Sequence, residues 1–124
     1  MPRTELVFFK ENDGSVPLVE WLDGLQVKAR EKCFVRLERL EELGHELRRP
    51  EAENLGEGIY ELRAKHNGVN YRMLYFFRGS TAVIVTHGFA KQQAEVPPGE
   101  IRLATRRKRT FEANPAMHSF KGSS

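Results

Sequence analysis

The sequence predicts an α+β fold. An N-terminal strand and a two-helix hairpin pack on a twisted, mainly antiparallel sheet, and a basic C-terminal helix follows. Three observations carry this expectation. Helical periodicity fills residues 18–43 and reappears after Pro97-Pro98-Gly99. Between these stretches the period changes to strand-like runs punctuated by turn residues. One of those runs, Ala82-Val83-Ile84-Val85, is continuously apolar, as in a strand buried on both faces.

The elements follow in order. Leu6-Val7-Phe8-Phe9 reads as a first strand, ended by Asn12-Asp13-Gly14. Ser15 is expected to cap a helix whose first turn tolerates Pro17. Leu18, Trp21, Leu22 and Leu25 then form one apolar stripe. A second helix spans 27–43, with Cys33, Leu37 and Leu40 inward, joined by Phe34, and Gly44 as its stop. Residues 44–57, with Gly44, Pro50, Asn54 and Gly56, read as a loop. Residues 59–64 read as a strand. Asn67-Gly68 is the strongest hairpin signal, since a type I′ turn needs positive φ at both central residues. Val69 to Phe77 returns as an aromatic strand, Arg78-Gly79-Ser80 turns, and Thr81 to Phe89 forms the next strand. Glu100 to Arg109 reads as a basic helix. Residues 1–110 are expected to form a single domain, and residues 111–124 an irregular or disordered tail. The sheet position of the first strand is not legible.

The 124 residues suit one domain, with 40% apolar and 30% charged residues, as in ordinary folded chains. Cys33 is the single cysteine, so no internal disulfide or cysteine-rich zinc site is available, and a reduced, cytoplasmic setting is expected. No signal peptide and no apolar run long enough for a membrane span is read. The net charge of +3 is unevenly spread. Residues 1–62 carry 9 Lys/Arg against 14 Asp/Glu, while residues 63–124 carry 11 against 3. The basic half could meet phosphates, or the two halves could pair across the fold.

Several fragments resemble the RelE/ParE superfamily of toxins, in particular its phage-derived HigB-like branch. Gly58-Ile59-Tyr60-Glu61-Leu62-Arg63 resembles a G-x-x-E-L-R strand. Tyr71-Arg72-Met73-Leu74-Tyr75 resembles Y-R-x-x-Y. His87 to Gln92 resembles the end of the last strand, and Pro97 with Glu100-Ile101 and Ala104 resembles the helix after it. The resemblance runs from about residue 4 to residue 108. It implies the toxin of a type II toxin–antitoxin system that cleaves ribosome-bound mRNA without a metal or other cofactor. It also implies a cognate helix-turn-helix antitoxin. In such cleavage the ribose 2′-OH attacks the adjacent phosphate, so RNA is the substrate that supplies the nucleophile. Preorganised cations stabilise the developing charge, and an acid and a base move the protons.

Arg63 and Arg72, flanking the Asn67-Gly68 hairpin, are the first candidates, because guanidinium grips phosphate with two donors. Lys91 matches the family's lysine. Gln92 departs from the second lysine usual there, so one expected charge is missing. His87 is a candidate acid or base, or a hydrogen-bonded core histidine. Lys65 and His66 are candidate phosphate contacts. Arg102, Arg106, Arg107, Lys108 and Arg109 could bind RNA, form a solvated face, or meet an acidic partner. Glu61 is read as orienting Arg63, with a role as base the alternative. His118 carries little weight, and Phe111 could stack on a base or pack as an anchor. A gyrase-directed poison and a non-catalytic nucleic-acid-binding module on the same fold are the competing functions.

Overall fold

The computed structural model describes residues 4–91 and 95–121. β1 (Glu5–Phe9) leads into α1 (Pro17–Asp23) and α2 (Val27–Leu43), and a 3-10 turn at Gly44–Glu46 follows. Next come β2 (Ala52–Gly56), β3 (Ile59–His66), β4 (Val69–Arg78), β5 (Ala82–Lys91), α3 (Pro98–Ala113) and β6 (Ser119–Phe120). The strands form one open sheet in the order β2-β3-β4-β5-β1-β6. β1 runs parallel to β5, and the other pairs are antiparallel. The α+β expectation holds, and the missing position of the first strand is beside β5.

Helices cover both faces of the sheet. Leu18 and Leu22 of α1 and Cys33, Leu37 and Leu40 of α2 pack on Leu62, Met73, Tyr75, Val83 and Val85. On the opposite face Ala104 and Phe111 of α3 pack on Phe9, Ile59, Leu74, Phe76, Ile84 and Phe89. This double covering explains why residues 72–76 and 82–87 are buried without alternation. Gly88 lies beneath the Trp21 indole. A β-carbon there would come within 2.3 Å of the ring, so the close approach of α1 requires glycine. Asn67 and Gly68 have φ of 52° and 78°, as a type I′ turn demands.

Four expectations are corrected. Ser15 does not cap α1. Val16 holds that position, and Ser15 instead donates its N–H and hydroxyl to the Asp13 carboxylate, at 2.9 and 2.7 Å. Pro17 at the helix start has no N–H to satisfy, so a side-chain cap has less to do. Phe34 does not join the inward face of α2 but is 46% exposed, because it lies one residue past Cys33 and the helix turns it outward. Residues 44–57 are not all loop, since β2 pairs with β3 through Ala52, Glu53, Asn54 and Gly56. Finally, the segment from residue 111 is not irregular throughout. α3 continues to Ala113, Phe111 is buried, and β6 pairs Phe8 with Phe120 and Phe9 with Ser119. His118 anchors that return: its ring stacks on Phe9 and its Nδ1–H donates to the Lys10 carbonyl at 2.7 Å. Among the described residues, no helix is long and apolar enough to cross a membrane.

Candidate functional site

Residues alternate across a strand, so Glu61, Arg63 and Lys65 of β3 share the face toward α3. The register sets Arg63 opposite Arg72 and Glu61 opposite Leu74. Two guanidinium groups thus face one another across neighbouring strands, which like charge alone would disfavour. Glu61 resolves the conflict. Its side chain is fully buried, and its two oxygens accept from Arg63 Nε and Arg72 Nη1. The reading of Glu61 as a partner of Arg63 is thus met in the geometry, and the same carboxylate accounts for an arginine inside an aromatic strand.

The network extends to the sheet edge. Arg63 Nη2 donates to Glu53 Oε1 at 2.5 Å, and Arg49 Nε reaches the same oxygen at 3.2 Å. Cations and carboxylates therefore alternate as Arg49, Glu53, Arg63, Glu61 and Arg72. Burial opposes the charge on Arg63, yet Glu61 and Glu53 raise its pKa further. The hydrogen bond from Arg63 holds the Glu53 carboxyl below its ordinary value. Arg72 is only 4% exposed, whereas the Arg63 side chain is 34% exposed and reaches solvent. Above them, Arg36 and Arg39 of α2 clasp Glu51, and Arg36 Nε also donates to the Arg63 carbonyl at 2.8 Å. Glu51 and Glu53 escaped the sequence reading because β2 did. That segment has few apolar residues to betray a strand, and its carboxylates are understood only once β3 lies alongside.

His87 reaches this face through a bulge. Leu74 pairs with His87 but Tyr75 pairs with Val85, so Thr86 is an extra residue in β5. The insertion reverses the alternation and turns His87 and Phe89 toward α3. His87 Nδ1 lies 2.9 Å from Thr86 Oγ1, and Nε2 lies 2.9 Å from Glu100 Oε1 at the start of α3. An ionised carboxylate only accepts, so in the neutral ring the proton belongs on Nε2 and the Thr86 hydroxyl donates to Nδ1. Burial lowers the His87 pKa, and Arg107 adds to this, while the Glu100 hydrogen bond opposes both. A histidine with a depressed folded pKa leaves stability flat at higher pH. Below about pH 6.5 the unfolded chain takes up a proton that the folded chain resists, and stability falls. Urea titrations of the wild type from pH 8 to 5 should show this decline. The His87→Gln variant should show a shallower one, and equal slopes would sink the assignment.

Residues 20–109 match the model of a protein family, Phage derived protein Gp49-like (DUF891). The chain belongs to this family. It is a toxin-like family of the toxin–antitoxin type. No curated protein matches the chain. The Gp49-like segment holds the whole arginine–glutamate network together with His87 and Glu100, and leaves out β1 and β6.

In this Gp49-like chain the basic helix divides in two. Arg107 turns inward: it lies over the Phe9 ring, donates to Glu11 at 2.9 Å and reaches the Thr86 carbonyl at 3.4 Å. Lys108 lies over the Phe76 ring. Arg102, Arg106 and Arg109 are exposed at i, i+4 and i+7, and with Glu57 they line a groove of about 390 Å³. Lys65 is exposed and His66 half-buried beside the hairpin turn. Lys91 pairs with Asn70 in the β4–β5 register, and Gln92 lies outside the described residues. Glu100, which fastens α3 to His87, is read from sequence only as part of the helix motif, with no role at the site. It sits in the first turn of a helix, where a carboxylate is unremarkable until its partner is seen.

Proposed function

We propose that the chain is the toxin of a type II toxin–antitoxin pair and cleaves mRNA on the ribosome, in the cytoplasm. The observation that carries this reading is the cation cluster ordered by one buried carboxylate, with the Arg63 guanidinium held at the protein surface. A cation fixed before substrate arrives stabilises a phosphorane without reorganising during the reaction. Arg63 is the residue assigned to the scissile phosphate, with Lys91 as a second cation. Arg72 acts as a positioning residue through Glu61. Lys65, His66 and the outward Arg102, Arg106 and Arg109 track the flanking phosphates, while Arg107 and Lys108 hold α3 in place. The 2′-oxygen attacks phosphorus, the bond to the 5′-oxygen breaks, and a 2′,3′-cyclic phosphate and a 5′-hydroxyl result. His87, neutral near pH 7, is the candidate for a proton transfer once its contact with Glu100 is exchanged for substrate. A cognate helix-turn-helix antitoxin is the partner proposed, and its acidic surfaces would meet the basic half.

A non-catalytic nucleic-acid-binding module is the second reading. It is favoured by the fact that Glu61 and Glu53 already engage Arg63. Induced expression with primer extension on an abundant transcript separates the readings. Wild type is expected to arrest growth and leave discrete cuts. Arg63→Ala should lose cutting by about 10²-fold or more at equal folded level, the range for removing one transition-state donor. Growth arrest with intact message would point to a protein target such as gyrase. Unimpaired growth under wild-type expression would favour the non-catalytic module.

A further inference from the structure

A second surface lies at the open end of β3, away from α3. Strand β2 pairs with β3 only as far as Leu62, and Arg63 completes that edge with its N–H on the Glu51 carbonyl and its C=O on Arg36. In a hairpin closed by a two-residue turn, His66 and Val69 exchange ladder bonds, and so do Ala64 and Tyr71. Lys65 therefore directs its N–H and C=O the other way, past the end of β2. Among the described residues no strand pairs with it on that side.

This open edge does not face bulk solvent alone. It forms one wall of a groove of about 490 Å³ whose other wall is α2. Val35 and Ala64 provide an apolar floor, Lys28 and Lys32 rim it against the single carboxylate of Glu31, and Lys65 lines the β3 side. All three lysines are exposed, and Arg36 at the end of the groove is already committed to Glu51. Val35 is 52% exposed, and Val27 and Phe34 add further uncovered apolar surface on α2.

We infer that this groove receives an acidic, extended segment of a partner protein, bound as a short added strand on Lys65. Main-chain bonds to the edge supply the attachment, and alternate side chains supply specificity. The charges fit: a strand places every second side chain about 6.8 Å apart, and Lys28 and Lys32 are about 6 Å apart along the helix axis. Carboxylates at alternate positions can therefore meet successive lysines, with small apolar residues between them on Val35 and Ala64. The apolar floor and the outward backbone pair favour a peptide over nucleic acid, which would need neither. The groove shares Lys65 with the RNA path of the proposed function, but Lys28, Lys32 and Val35 belong to the groove alone and none of Arg63, Arg72 or His87 takes part, so the two readings can fail separately.

The probe is a synthetic peptide of alternating aspartate and valine, with a copy N-methylated on the amides of one edge. Backbone ¹⁵N chemical shifts of the full chain are followed during each titration. Perturbation centred on residues 64–66, together with protection of the Lys65 amide from exchange, is the expected result. The methylated peptide and the Lys28→Glu/Lys32→Glu variant should each bind at least tenfold more weakly. Because both substitutions are on exposed positions, unchanged remaining resonances report that the variant is folded. Equal binding of the methylated peptide would reduce the site to charge attraction and overturn strand addition. No peptide binding, or a single-stranded RNA oligonucleotide shifting Lys28, Lys32 and Val35 of the α2 wall in place of the peptide, would overturn the proposal.

Discussion

Replacing Glu61 by alanine is expected to destabilise the chain by about 3–5 kcal/mol, the range for removing one partner of a buried ion pair. The cost arises on the other side of the pair. Arg72 is 4% exposed and would keep its charge inside the sheet–helix interface after losing the Glu61 carboxylate. Arg63 should suffer less, because it reaches solvent and retains Glu53. The double variant Glu61→Met/Arg72→Leu should recover most of the loss, since apolar groups of similar volume replace both charges at once. Urea unfolding of the two singles and the double provides the comparison. A loss below about 1 kcal/mol for Glu61→Ala, the range of exposed pairs, would mean that the pair is solvated in solution. The double variant also bears on function. It should fold, yet leave Arg63 held by Glu53 alone, so an active double variant would remove Glu61 and Arg72 from the proposed positioning role.

Phe111→Ala should cost about 3–5 kcal/mol, as for other buried phenylalanines. Phe111 meets Phe76 edge to face at 5.6 Å and lies under the Arg78 guanidinium at 5.9 Å. It is the last large apolar contact of α3, so its loss should also loosen the helix that carries the basic groups. Thermal and urea unfolding measure the first effect, and amide exchange along residues 105–113 measures the second. A change within about 0.5 kcal/mol, typical of surface substitutions, would return the segment after residue 110 to the irregular tail that its sequence suggests.

These two residues mark what could and could not be read from the chain. The helix over 27–43 and the β3–β4 hairpin were legible because each is set by local signals: a 3.6-residue stripe in one and Asn67-Gly68 in the other. β2 was illegible because its partner provides what its own sequence lacks. The same holds for His118 and β6, whose order depends on Phe9 and Lys10 more than a hundred residues earlier. At the candidate site the residue types were visible, but their division of labour was not. Nothing in the spacing of Arg63 and Arg72 says that one is exposed and the other enclosed. The two differ in sheet position: Arg72 lies on β4, between β3 and β5, whereas Arg63 lies on β3, next to the edge strand β2. Similarly, five basic residues in one helix do not announce that Arg107 and Lys108 lie against aromatic rings while Arg102, Arg106 and Arg109 face outward.

The extra residue at Thr86 gives β5 two phases. Before it, Val83 and Val85 belong to the layer of α1 and α2; after it, His87 and Phe89 belong to the layer of α3. A chain shortened by that one residue would keep its composition and hydropathy almost intact. Yet His87 would be carried beneath Trp21 and the small Gly88 would be presented to α3, so both layers would lose their fit at once. Point substitutions around the site can therefore be sampled one at a time, but the length of β5 cannot. Among related chains, the spacing between the apolar run and the histidine should be harder to alter than the histidine itself.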